Sequence, residues 1–289
     1  MSARVLDGRE LSSHLRRELR HRVDVLTGRD PDAPDDAPDQ PAAPALAILR
    51  DGASEAAALY AASLERAARA IGVPSRLITD LDHPDATVDA LNADAGIAGI
   101  VIAQPFADPA NGRRLVELID PAKDVDGATP TNAGRLARGE PALVPATALA
   151  VIAILEAYDV PVAGRRAVIV GRSAVVGRPV ASLLLARDAT VVICHRATRN
   201  LARETRRAEI LVAAAGVPGL IRPEMVNRST VVVDCGITAT EDGIAGDVEF
   251  ATVAPIVRAI TPVPGGIGPV TPMMVLRQLV EAAERAAGI

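Results

Sequence analysis

Residues 165–195 read RRAVIVGRSAVVGRPVASLLLARDATVVICH. An apolar, β-branched run (Ala167–Val170) stops at Gly171. Ser173 and Gly177 follow, then the helix-forming PVASLLLA, then a second apolar run, ATVVIC. Strand, glycine turn, helix and strand in about thirty residues form a βαβ unit with parallel strands. Glycines at such a turn permit a sharp bend and close backbone approach, and free N–H groups at the helix start attract a pyrophosphate. The spacing is G-x-S-x-x-x-G rather than G-x-G-x-x-G, so the motif is weak alone and takes its weight from the flanking elements. A nucleotide site is expected here; the bland alternative is a structural α/β turn.

The end of the second strand bears on which nucleotide. An NAD site usually places Asp or Glu there to accept from the ribose 2′-hydroxyl. This strand runs instead into Cys194, His195 and Arg196, with Arg199 beyond and Arg172 in the preceding turn. A 2′-phosphate would meet positive charge and no carboxylate, which favours NADP. His195 reads as pocket wall rather than catalyst, and nothing suggests a metal site.

On either side of this unit, AEILVAAAG, STVVVDCGI and AITPVPGGIGP supply further strand-like runs, and LVPATALAVIAILEAYDV reads as a long apolar helix between domains. Upstream, ALAILR, EAAALYAASLERAARAIGV, SRLITDL, ATVDALNAD, GIAGIVIAQP and NGRRLVELIDP alternate strand and helix. The expected architecture is α/β with two domains and mostly parallel sheets. Residues 1–145, completed by a C-terminal helix over 271–289, form the first domain, and residues 146–270 form a Rossmann-like second. GRDPDAPDDAPDQPAAP, rich in Asp and Pro, suits a solvated loop over 28–44.

Composition excludes other classes. A net charge of -5 and no tryptophan argue against a nucleic-acid binder. No apolar run approaches the ~18 residues of a membrane span, and the N-terminus lacks the apolar core of a signal peptide, so a cytoplasmic protein is expected. Cys194 and Cys235 lack disulfide or metal spacing and read as buried thiols.

VLDGREL, LYAAS, LNADAGIAGIVIAQP, PAKDVDGATPTNAGRL, VIVGRSAVVGRP and ITPVPGGIGPVT occur in this order over nearly the whole chain. Together they closely resemble the bifunctional methylenetetrahydrofolate dehydrogenase/cyclohydrolase family. The resemblance implies a folate domain, an NADP domain and a cleft between them, in a homodimer. It also implies NADP-dependent oxidation of 5,10-methylenetetrahydrofolate to the methenyl form. Tyr60 would stack on the reduced folate and Asp126 would hydrogen-bond the pterin, the two residues assigned to catalysis. Pro264, Gly265 and Gly266 would form a glycine-rich wall beside the substrate. Gly171, Arg172 and Ser173 would meet the cofactor phosphates or ribose, with Arg196 nearby and Ile237 beside the nicotinamide. Lys123, the only lysine in the chain, reads as an ion-pair partner for neighbouring carboxylates.

The chain departs from the family pattern where the second activity resides. The cyclohydrolase step calls for a lysine four residues after the stacking tyrosine, and YAASLER puts Leu64 there. Arg66 cannot serve instead, because guanidinium stays protonated. The family's glutamine in VQLP aligns with Ala103, and Gln104 is shifted by one residue, which in a strand turns it to the opposite face. PCTP appears as PATA, Pro145–Ala148. These changes predict a dehydrogenase with weak or absent cyclohydrolase activity. The alternatives are a fully bifunctional enzyme using other groups, a non-catalytic folate- and NADP-binding homologue, and a related dehydrogenase acting on another substrate.

Overall fold

Branched aliphatic side chains crowd a helix but pack well on a pleated surface, and the apolar runs above become strands. The computed structural model describes residues 3–28, 43–52, 54–241 and 243–289. The solvated-loop expectation for 28–44 therefore falls largely outside the described residues. In chain order the elements begin with β1 (Arg4–Val5), α1 (Gly8–Leu26), β2 (Ala45–Leu49), α2 (Glu55–Ala70), β3 (Ser75–Ile78), α3 (Pro84–Ala93) and β4 (Ile97–Ile102). They continue with α4 (Pro109–Leu118), α5 (Pro130–Ala137), α6 (Ala146–Ala157), β5 (Arg166–Val170), α7 (Gly177–Leu185), β6 (Thr190–Cys194) and α8 (Leu201–Thr205). The remainder are β7 (Ile210–Ala213), β8 (Val231–Asp234), β9 (Thr238–Thr240), β10 (Gly243–Ala245), α9 (Phe250–Val253), β11 (Ala259–Ile260) and α10 (Ile267–Ala287).

The chain divides into two compact units. One holds Ser13–Gly134, Ala142–Val144 and Pro272–Ile289. Its sheet, in order β3-β2-β4, is parallel throughout. Ala47, Leu49, Ile100, Ile102 and Leu115 fill one core cluster, where Phe106 is the only aromatic side chain. Aliphatic packing thus substitutes for the missing aromatics.

The other unit holds Arg135–Pro141, Pro145–Thr271 and the N-terminal segment as far as Ser12. From the sequence alone, that segment is expected with residues 13–145. Its membership here has a plain cause: β1 pairs in parallel with β11, and Leu6 N donates to Ile260 O at 2.9 Å. Among the described residues the sheet has six strands in the order β1-β11-β8-β7-β5-β6, every pair parallel. Strand β5 has edge strand β6 on one side and β7 on the other. The connections therefore leave β5 in opposite directions, and the crevice beyond its carboxyl end is where open α/β sheets take ligands. The β9–β10 hairpin is antiparallel and was not foreseen; its polar TATEDGIA stretch carries little alternation.

Candidate active site

The turn after β5 is built so that only glycine fits. Gly171 has φ +134°, and a Cβ there would overlap the carbonyl of Ala214. A Cβ on Gly177 would overlap the carbonyl of Gly171. Ser173 Oγ accepts from Val176 N at 3.1 Å and Gly177 N at 3.4 Å, closing the turn onto the start of α7. Around it lies a cavity of ≈ 540 Å³ at the carboxyl ends of β5, β6 and β7. Gly171, Arg172, Ser173, His195, Arg196 and Thr198 line it, with Ala214, Ala215 and Val217 opposite. No lining residue is acidic. His195 is tied into the wall, its backbone N donating to Thr198 Oγ1 at 2.8 Å. Four sequence-predicted residues, Gly171, Arg172, Ser173 and Arg196, thus meet at one cavity.

A second, smaller cavity of ≈ 170 Å³ in the same unit brings Ile237 together with Pro264, Gly265 and Gly266. Ile237 is 64% exposed, an apolar side chain that awaits a cover. The glycines are again required: a Cβ on Gly266 would press on Pro262 O, and one on Gly8 would overlap Gly266 O. Gly8 N also donates to Gly265 O at 2.8 Å, so the DG of VLDGREL serves this close approach. Cys235 lines the cavity and is only half-buried, unlike fully buried Cys194; the expectation of two buried thiols is corrected. Desolvation, with Asp234 and Asp247 nearby, pushes the Cys235 thiol up and keeps it protonated.

In the other unit, the KDVDG segment alternates its side chains between distinct tasks. Lys123 N lies beside Asp120 O, and Ile100 N donates to Lys123 O, which fastens the segment along β4. Lys123 Nζ donates to the carbonyls of Leu91, Asn92 and Asp94 at 3.0, 2.7 and 2.7 Å. The lone lysine therefore caps the carboxyl end of α3, where a cation suits the helix dipole. The expected carboxylate ion pair is corrected. Asp124 is buried and accepts from Ala128 N, Thr129 N and Asn132 Nδ2 at 2.8–2.9 Å. Val125 fits only because position 99 is glycine, where a Cβ would lie 2.7 Å from its methyl carbon. Gly127, at φ +63°, ends the segment.

Asp126 remains to meet Tyr60, whose hydroxyl donates to Asp126 Oδ1 at 3.2 Å. Burial, then the nearby Asp124 charge, raises the Asp126 carboxyl to about 7, against a smaller lowering by Tyr60. Burial first, and Asp126 second, push the Tyr60 phenol well above its usual range. A carboxyl poised near neutrality in a structurally costly place is a mark of a functional site.

Leu64 lies one helical turn beyond Tyr60 on α2 and is fully buried, in line with Ala57, Ala61 and Ala68. Ala103 is fully buried and its N donates to Leu49 O at 2.8 Å, as a strand residue would. Gln104 is exposed, and its Oε1 accepts from Phe106 N at 3.3 Å.

Sequence reasoning missed several structural polar groups. Gln278, inside α10, donates to Val125 O and Val144 O and accepts from Val144 N at 2.7–2.9 Å. A single amide inside MMVLRQLV was the available signal. Asp234 and Asp247 are likewise buried. Their signal was a carboxylate closing VVVD and another set between glycine and valine in GDV. Among the described residues, no group of three or more His, Cys, Asp or Glu is placed to hold a metal, and no helix is long and apolar enough to cross a membrane.

Comparisons with known proteins bear on both units. The family model for the tetrahydrofolate dehydrogenase/cyclohydrolase catalytic domain matches residues 6–126, and that for the family's NAD(P)-binding domain matches residues 145–287. The chain is 41% identical over 295 residues to a bifunctional FolD protein of Chloroflexus aggregans, covering 100% of both. It resembles the crystal structure of the bifunctional dehydrogenase/cyclohydrolase of Campylobacter jejuni, with TM-score 0.91, 34% identity and coverage of 99% and 100%. The Trypanosoma brucei FolD, solved with NADP cofactor and an inhibitor, matches with TM-score 0.90, 31% identity and full coverage of both chains.

Proposed function

The chain belongs to the tetrahydrofolate dehydrogenase/cyclohydrolase family, and on that premise we propose that it oxidises 5,10-methylenetetrahydrofolate with NADP and has given up most of the hydrolytic step. The observation that carries the redox half is the ≈ 540 Å³ cavity with its glycine-only turn, two arginines and no acidic lining. Its residues fit the cofactor. The Gly171 cradle lets a pyrophosphate approach the backbone, and Arg172 with Arg196 suits a 2′-phosphate. Ile237 would lie beside the nicotinamide, with Pro264, Gly265 and Gly266 as the wall that the substrate approaches. Bound there, NADP would supply the hydride acceptor.

The remaining work falls to the chain's own side chains. Tyr60 presents an aromatic face to the folate, and Asp126 accepts from the donors of the pterin edge. Both orient the substrate; neither must take a proton, because the carbon loses hydride and becomes a cation stabilised by its nitrogens. Orientation and exclusion of water are the protein's main contributions to such a step.

Hydrolysis of the methenyl ring is different, since water must be activated and protons moved. Leu64 and Ala103 offer no acid, base or hydrogen bond there, and the lone ammonium is committed to α3. The protein would work as a cytosolic homodimer. Two free cysteines fit a reducing compartment, and exposed Ile193 on edge strand β6 offers apolar surface to a second copy.

Steady-state kinetics with both cofactors test the redox reading. Wild-type protein is expected to reduce NADP in preference to NAD. Arg196→Ala is expected to raise KM for NADP about 10- to 100-fold, the loss of one charge-assisted contact, while KM for NAD changes little. A wild-type preference for NAD would contradict the assignment.

A further inference from the structure

Two buried carboxylates unused by the reaction join the walls of the two cavities described above in the nucleotide-binding unit. Asp247 is fully buried, and its carboxylate accepts from three successive backbone N–H groups. Oδ2 takes Ala215 N at 2.5 Å and Gly216 N at 3.0 Å, and Oδ1 takes Val217 N at 2.8 Å. Ala215 and Val217 line the larger cavity. Asp247 is in turn held by Asp234, whose Oδ1 accepts from Asp247 N at 3.0 Å and from Gly236 N at 2.8 Å. Asp234 Oδ2 accepts from Val248 N at 2.9 Å, and Asp234 N donates to Thr261 Oγ1 at 2.8 Å. Asp234, Cys235, Gly236 and Ile237 line the smaller cavity. The packing leaves no slack: a Cβ on Gly236 would lie 2.5 Å from Asp247 Oδ1, and one on Gly246 would overlap the Asp234 carboxylate.

We propose that Asp247 is a positioning residue for the dinucleotide, holding the 215–217 turn in the one shape that completes the cavity opposite Gly171, with Asp234 aligning Asp247 and the Ile237 wall together. The proposal rests on the NADP reading of that cavity. Three N–H groups in a row have no strand partner here, because Gly216 at φ +67° turns the chain. A buried carboxylate can satisfy all three, whereas an amide brings its own N–H groups against them. The turn would then relax outward, and it carries no part of the folate-side site.

The test compares wild type, Asp247→Asn and Gly216→Ala by direct NADP binding, followed by kinetics and thermal melts. For Asp247→Asn, Kd and KM for NADP are expected to rise at least 10-fold. KM for the folate, and kcat at saturating NADP, should stay within about threefold. Gly216→Ala guards against failure of the first variant to fold. A Cβ there meets nothing within 4 Å, so it perturbs the turn only through its left-handed φ, and should raise Kd for NADP several-fold. A merely structural role would lower the melting temperature and the active fraction while leaving Kd for NADP unchanged in both variants, and that result overturns the proposal. Failure of the wild type to bind NADP would instead defeat the cofactor assignment.

Discussion

Asp126→Asn is expected to give a protein more stable than wild type above pH 7 and at least ~10²-fold less active. The activity loss follows from replacing a carboxylate that accepts two pterin donors with an amide that can satisfy only one. The stability gain follows from the sign of the perturbation. Burial and the Asp124 charge raise the folded Asp126 carboxyl to about 7, whereas an unfolded Asp titrates near ~4. Between those values the folded state holds a proton that the unfolded state has released. Stability therefore falls as pH rises through this window, and the penalty is complete above 7. Asn removes an ionisation costing on the order of 2–4 kcal/mol. Melts from pH 4 to pH 8 should show the variant and wild type converging at the acid end and separating by several degrees at the alkaline end. Equal melting at every pH would show that Asp126 ionises without penalty.

Leu64→Lys is expected to restore little hydrolysis and to cost stability. Leu64 is fully buried in line with Ala57, Ala61 and Ala68. An ammonium there loses solvation and finds no acidic partner on its own helix face, a cost of several kcal/mol that also drives lysine toward its neutral form. Ala103 would still lack the side chain to position water. Hydrolysis of methenyl-folate should rise less than ~10-fold in the single variant and by a further ~10-fold or more when Ala103→Gln is added, since a positioned acid–base group is worth ~10²–10⁴-fold. Full activity in the single variant would show that Ala103 costs nothing.

Much of this was legible from residue types. The βαβ signature at 165–195 located the cavity because Gly171 and Gly177 are needed for backbone contacts that a Cβ would block. The family motifs located Tyr60 and Asp126, which the fold joins by one hydrogen bond. Lys123 was misread, because proximity in sequence suggested carboxylate partners while the fold brings the carbonyl end of α3 against its ammonium. The place of β1 in the six-stranded sheet was hidden for a similar reason. Two residues carry no periodicity, and their partner β11 lies at the far end of the chain. Asp247 escaped notice because its role is defined by backbone groups at 215–217, which side-chain patterns do not reveal.

The most direct test follows both products when purified wild-type protein turns over 5,10-methylenetetrahydrofolate with NADP. The expected result is rapid NADPH formation with methenyltetrahydrofolate accumulating in nearly equal amount, its enzymatic hydrolysis at least ~10²-fold slower than its formation. Methenyl-folate consumed by the enzyme as fast as it is made would contradict the account, for it would mean that a site holding Leu64 and Ala103 still activates water.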